Sequence, residues 1–123
     1  MEKEFIPYEQ ALALKELGFD ELVLGKYQKL SEAANYQLQL LGKERNCNRL
    51  DTAISAPIFS QAFRWFREKK SLCSWVYQSN SGLYHYSILK DDRYLSSSYN
   101  NETTYKEAEL ACLKKLIEIV KNK

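Results

Sequence analysis

The chain has 123 residues, of which 45% are hydrophobic and 28% are charged, and these values are ordinary for one globular domain with its own core. The formal net charge of +2 is too small to indicate a polyanionic partner. No run of residues approaches the length of a membrane span, and no apolar leader follows the charged start at Met1. Three cysteines without a CxxC pair predict free thiols, as expected of a cytoplasmic protein.

The chain begins with a predicted helix and a predicted strand. The helix is expected over residues 7–17, because Pro7 suits a first turn and Gly18 suits a left-handed exit. Residues 21–28 then read as a strand, which is interrupted by a glycine, Gly25, that is typical of a bulge.

The segment before the second helix has a weaker pattern. Residues 31–34 permit a short helix, but a strand is favoured just after them because apolar and polar residues alternate at Tyr36, Leu38 and Leu40. Residues 42–52 are polar and charged, and they predict a mobile surface loop.

A second helix is predicted after Ser55, with that serine as its N-cap and Pro57 in its first turn. Trp65 lies at the edge of its apolar stripe, which comprises Ile58, Phe59, Ala62, Phe63 and Phe66. Beyond Lys70 the apolar period changes from 3.6 to 2, which predicts strands over 73–78, 84–89 and 94–99. The first two are joined by a hairpin turn at 79–82, and Asp91-Asp92 marks the second turn.

A last helix is predicted over residues 104–121, where Thr104 and Glu107 match a capping box. Together the elements predict a single α+β domain over residues 1–123, with an antiparallel sheet packed by helices in the order α-β-β-α-β-β-β-α. The repeated pattern of proline, helix and strand also predicts a weak internal repeat between residues 5–42 and 55–99, closed by the last helix.

Few residues are suited to catalysis. His85 is the only histidine and lies in a predicted strand, so a metal site with two histidines is excluded. Asp91-Asp92 lacks the spacing of a calcium loop and is better explained as a turn. Cys47 lies between two arginines in the predicted loop and is expected to be the most reactive thiol, whereas Cys73 and Cys112 are expected to be buried. We therefore predict no enzyme activity, no metal and no cofactor.

The predicted hairpin is rich in aromatic residues, which leaves two interpretations open. Trp75 and Tyr77 share one face of their strand, and Tyr84 and Tyr86 share one face of the next. Such rings either pack beneath helices or form a platform for bases or for a partner's side chains. Core packing is favoured for this face, and Trp65 and Tyr99 are instead the candidates for exposure.

Two binding functions follow from these residues. The leading hypothesis is a non-enzymatic protein-interaction module, because aromatic residues and arginine anchor interfaces, and its expected contacts are Arg64, Trp65 and Arg67. The alternative is weak nucleic-acid binding, because residues 43–70 contain seven Lys or Arg and only three Asp or Glu, although a solvated helix face is the favoured explanation of these charges. The residues expected to contact phosphates are Lys43, Arg45, Arg49, Arg67, Lys69 and Lys70.

The half of the chain after Pro57 resembles the double-stranded-RNA-binding domain in its order of helix, three strands and helix. The alanine-containing last helix, TYKEAELACLKKL over residues 104–116, is similar to that family's last helix. The family places a lysine cluster at the start of this helix, whereas the present chain has NNETT over residues 100–104. The resemblance therefore implies a shared topology without the RNA-binding function.

A second resemblance covers most of the chain. Residues 5–19, 61–69 and 107–119 are similar to a family of small proteins encoded by bacteriophages and by phage-derived bacterial DNA. That family has no assigned activity, so no functional residues are carried over. The resemblance implies a cytoplasmic accessory protein that acts on a component of the host cell.

Overall fold

The computed structural model describes residues 4–29, 36–49, 52–91, 93–97 and 103–122. They form a mixed α+β protein with two compact units, Met1–Gln61 and Ala62–Lys123. The elements are α1 (Tyr8–Glu16), β1 (Val23–Lys29), β2 (Tyr36–Arg45), β3 (Ala53–Ser55), α2 (Phe59–Lys69), β4 (Cys73–Gln78), β5 (Tyr84–Lys90), β6 (Arg93–Ser97) and α3 (Tyr105–Lys121). The predicted fold class and element order are confirmed, and the short strand β3 is an addition to them. The interpretations of residues 31–34 and of Tyr99 concern positions outside the described ranges.

Helix α1 ends as its sequence predicts. Gly18 adopts a φ of 97°, in the left-handed region that a side chain disfavours. Its N–H donates to the Lys15 carbonyl at 3.1 Å, and the Phe19 N–H donates to the Leu14 carbonyl at 2.9 Å. This pair of bonds is the Schellman motif, which satisfies carbonyls that the helix end leaves free.

The first unit contains an antiparallel sheet with the order β2-β1-β3. Helix α1 covers one face of this sheet. The Tyr8 ring stacks on the Tyr36 ring, with 4.7 Å between their centroids, and it makes an edge contact with the Tyr27 ring, with 5.6 Å between centroids. On the same face, Phe5 lies so close to Gly25 that a Cβ added there would be 2.6 Å from a ring carbon. The glycine is therefore required by a close approach between a strand and a ring.

A large bulge separates the two ends of β2. Gly25 pairs with Leu40, but Val23 pairs with Arg45, so residues 41–44 lie opposite the single residue Leu24. The bulge next to Gly25 is thereby confirmed. The loop predicted over residues 42–52 is wrong in its first part, because strand pairing continues to Arg45.

A short 3-10 turn, Cys47–Arg49, follows β2 and is fixed by Ser55. The Ser55 hydroxyl accepts from the N–H groups of Cys47 at 2.9 Å and Asn48 at 3.1 Å, and the Asn48 side chain accepts from the Ser55 N–H at 2.8 Å. Ser55 therefore ends a strand and does not cap α2, which corrects the prediction. Pro57 also precedes the helix, and its carbonyl accepts from the Ile6 N–H at 3.0 Å.

The second unit contains an antiparallel sheet with the order β4-β5-β6, and α3 packs against β4 and β5. The predicted turn is present, with Gly82 at a φ of 87° and its N–H bonded to the Ser79 carbonyl at 2.9 Å. Thr104 caps α3 by accepting from the Glu107 N–H at 3.1 Å, as predicted. The large fully buried side chains of this unit are Phe66, Leu72, Ile88, Cys112, Leu113 and Leu116. None of the described helices has both the length and the apolar character that crossing a membrane requires.

Candidate functional site

The strand register divides the aromatic residues of the second unit between two faces. Residues directly opposite each other on antiparallel strands point to the same side of a sheet. Trp75 pairs with Ser87 and Tyr77 pairs with His85, while Leu89 pairs with both Cys73 and Tyr94. We call this side the aromatic face, and its residues are Cys73, Trp75, Tyr77, His85, Ser87, Leu89 and Tyr94.

The aromatic face presents its tryptophan and its two tyrosines to solvent, although Ser87, in the central strand, is buried. Trp75 is 40% exposed, Tyr77 is 43% exposed and Tyr94 is 71% exposed. The Trp75 ring meets the edge of the Tyr94 ring at 6.2 Å, and Tyr77 stacks on His85 at 5.4 Å. These ring contacts restrict the conformations of the side chains in the unbound protein. The rings also present apolar surface to solvent.

The other face of the same sheet lies toward α3. Tyr84 pairs with Gln78 and Tyr86 pairs with Val76, and the Tyr84 ring meets the edge of Tyr105 on α3 at 5.9 Å. The expectation that the Trp75 face serves as core is wrong, because the helix covers the opposite face. The interpretation that all four aromatic residues form one platform is also wrong, because Tyr84 and Tyr86 lie on the opposite face from Trp75 and Tyr77.

The contacts predicted on α2 are placed differently from expectation. Trp65 is only 2% exposed and packs its ring edge-on against Phe66 at 5.0 Å. The Lys70 ammonium lies over the indole at 5.3 Å from its centroid, which favours this buried position through a cation–π contact. Trp65 is therefore a core residue, and its predicted exposure is wrong. Arg64 and Arg67 lie on the exposed side of the helix, as expected.

The thiols also depart from expectation at two of three positions. Cys47 is 4% exposed, and burial raises the pKa of its thiol, although the charges of Lys26 and Arg45 act in the opposite direction. The prediction of an accessible, reactive Cys47 is wrong, because the 3-10 turn holds it against the sheet. Cys73, expected to be buried, is exposed on the aromatic face. Cys112 is buried as predicted, and burial raises the pKa of its thiol to about 12.

The basic segment is divided between the two units. Lys43 and Arg45 belong to β2 and Arg49 to the 3-10 turn, while the remaining cations, Arg64, Arg67, Lys69 and Lys70, belong to the second unit. Lys43 and Arg45 line a cleft together with Lys26, which the sequence did not single out. We call this the basic cleft, and its lining residues are Lys26, Gln39, Leu40, Leu41, Gly42, Lys43 and Arg45.

Among the described residues, no group of three or more acidic, histidine or cysteine side chains is placed to hold a metal ion. Comparison of the chain with protein-family models, with curated proteins and with solved structures finds no match. The aromatic face and the basic cleft are therefore assessed on their geometry.

The sequence analysis did not assign His85, Tyr94 or Lys26 to either of these sites. His85 and Tyr94 join the aromatic face through strand register, which fixes the residues that lie opposite each other. Lys26 had a local signal, because it follows the glycine that marks the bulge.

Proposed function

We propose that this protein is a non-enzymatic interaction module of the cytoplasm and that it binds a partner protein through the aromatic face. The observation that supports the proposal is the exposure of Trp75, Tyr77 and Tyr94 on one side of a sheet whose other side packs against α3. Tryptophan and tyrosine are the residues that most often anchor protein interfaces, because they bury a large area and lose little conformational entropy.

The charge of the aromatic face favours a protein over a nucleic acid as the ligand. None of its seven residues is Asp, Glu, Lys or Arg, so its centre offers no cation to a phosphate. Nucleic acids obtain much of their affinity from phosphate contacts, whereas the cores of protein interfaces are depleted in charged residues. The face therefore has the composition of an interface core, and Arg93, next to Tyr94, adds a charge at the margin of the sheet.

The resemblance of residues 5–19, 61–69 and 107–119 to phage-encoded proteins supports a particular kind of partner. We propose that the partner is a protein of the bacterial host cell, as suits an accessory protein of phage type. The contacts first expected on α2 are replaced in this proposal, because the buried Trp65 has no surface to contribute.

Affinity purification from host lysate tests the proposal. The tagged protein is expected to recover one protein in stoichiometric amount, and the variant Trp75→Ser/Tyr77→Ser/Tyr94→Ser is expected to lose it. The control is Leu22→Ser/Leu24→Ser, which removes apolar side chains of similar exposure, 55% and 53%, from the first unit. Recovery of the same protein by the triple variant, or its loss in the control alone, would contradict the proposal.

A further inference from the structure

The basic cleft is formed by the bulge in the first unit. Lys26 and Gln39 pair across β1 and β2, on the face opposite the one that α1 covers, since their neighbours Tyr27 and Leu38 lie on the α1 side. Residues 41–44 lie opposite the single residue Leu24, so this part of β2 bulges out of the regular pairing. The bulge brings Lys43 and Arg45 to the same cleft as Lys26. Bulges of this kind commonly redirect side chains at binding sites.

The charge in the cleft is of one sign. Of the described residues that line it, three are cations and none carries a carboxylate. No ion pair joins Lys26, Lys43 or Arg45 to another part of the chain that the structure describes. The Gln39 side chain adds an amide N–H donor to the three cationic groups.

This concentration of charge is local. The first unit contains seven Lys or Arg and nine Asp or Glu in its sequence, so its overall balance is acidic. Three cations that line one cleft of an acidic unit are therefore not explained by a generally basic composition. They mark a site where an anion would be stabilised by charge and by hydrogen bonds together.

We propose that the basic cleft binds a phosphate-bearing ligand, with Lys26, Lys43 and Arg45 as its charged contacts. Arginine offers a planar pair of N–H groups to two phosphate oxygens, and the lysines contribute ammonium groups that need no fixed geometry. The cleft has a volume of about 470 Å³, which is within the range of small-molecule sites, and it is widely open to solvent. This inference is independent of the aromatic face, which lies in the other unit.

The phosphate can come from a free small molecule or from a nucleic-acid strand, and two probes distinguish these sources. We would titrate the ¹⁵N-labelled full chain with inorganic pyrophosphate and, separately, with a single-stranded oligothymidylate of about twelve nucleotides. Pyrophosphate is expected to shift the amide signals of Lys26, Gly42 and Lys43 saturably. An oligonucleotide that causes the same shifts at least about tenfold more tightly would identify a strand as the source, and equal or weaker binding would identify a small phosphate.

Matched variants decide whether the cleft itself binds. Lys26→Gln/Arg45→Gln is expected to weaken binding of the probe at least about tenfold, because two charge-assisted hydrogen bonds are lost. Lys29→Gln removes the same charge from the opposite face of β1 and is expected to change the affinity less than about twofold. If the double variant does not fold, the single variant Lys43→Gln, at an exposed position of β2, gives the same test. The absence of saturable shifts with either probe, or equal weakening by Lys29→Gln, would overturn the proposal.

Discussion

The three thiols of this chain show how one residue type takes its chemistry from its surroundings. Cys112 is buried on α3, and the loss of solvation on burial raises the pKa of its thiol to about 12. Cys47 is buried beside two cations, and burial raises the pKa of its thiol as well. Cys73 is exposed at the start of β4, so water and reagents can reach its sulfur. Access is therefore expected to control reactivity more than neighbouring positive charge does.

We expect a single fast-reacting thiol in the native protein, at Cys73. With a colorimetric disulfide reagent at pH 8, Cys73 should react at the rate of a free thiol, while Cys47 and Cys112 should react only as the fold opens. The variant Cys73→Ser is expected to abolish the fast phase, and Cys47→Ser, the control, should leave it intact. A fast phase that persists in Cys73→Ser would show that one of the buried thiols is misplaced.

At the scale of elements, structure determined by adjacent residues was predicted correctly. The exit of α1 at Gly18, the turn at Gly82 and the Thr104 cap of α3 each depend on residues within one turn of each other. The continuation of β2 to Arg45 was not predicted, because its polar residues are paired across a bulge with Val23. The role of Ser55 was also missed, since its partners at Cys47 and Asn48 come together only when β3 joins the sheet.

The first sheet offers a direct test of its close packing at Gly25. In Gly25→Ala, the new Cβ would be 2.6 Å from the buried Phe5 ring, so ring and strand must move apart. We expect the free energy of unfolding to fall by about 1–3 kcal/mol, as is usual for overpacked sites. Urea denaturation followed by circular dichroism measures this change.

Gly42→Ala is the matched control for Gly25→Ala. It adds the same methyl group to β2 at a position with no atom within 4 Å of the new Cβ. We expect its free energy of unfolding to stay within about 0.5 kcal/mol of the parent value. Equal effects of the two substitutions would contradict the packing described for Phe5.

At the scale of the whole molecule, the arrangement of the second sheet determines which residues are available for binding. Alternation in β4 places Trp75 and Tyr77 on one face, and the sequence showed this correctly. Alternation does not reveal which face a helix will cover, because that depends on how α3 packs against β4 and β5. The same limit explains Trp65. Its position in the helix suggested the exposed edge of the apolar stripe, but its ring is buried and contacts Phe66 and Lys70.

Site-specific photocrosslinking in cells of the proposed bacterial host tests most directly whether the aromatic face binds a partner protein. A benzophenone amino acid would replace Tyr77 or Tyr94 on the face, and Leu22, which is 55% exposed in the first unit, would be replaced as the control. We expect positions 77 and 94 to give a crosslinked product with the same host protein, and position 22 to give none. Products absent from positions 77 and 94, or the same product from position 22, would contradict binding of a partner through the aromatic face.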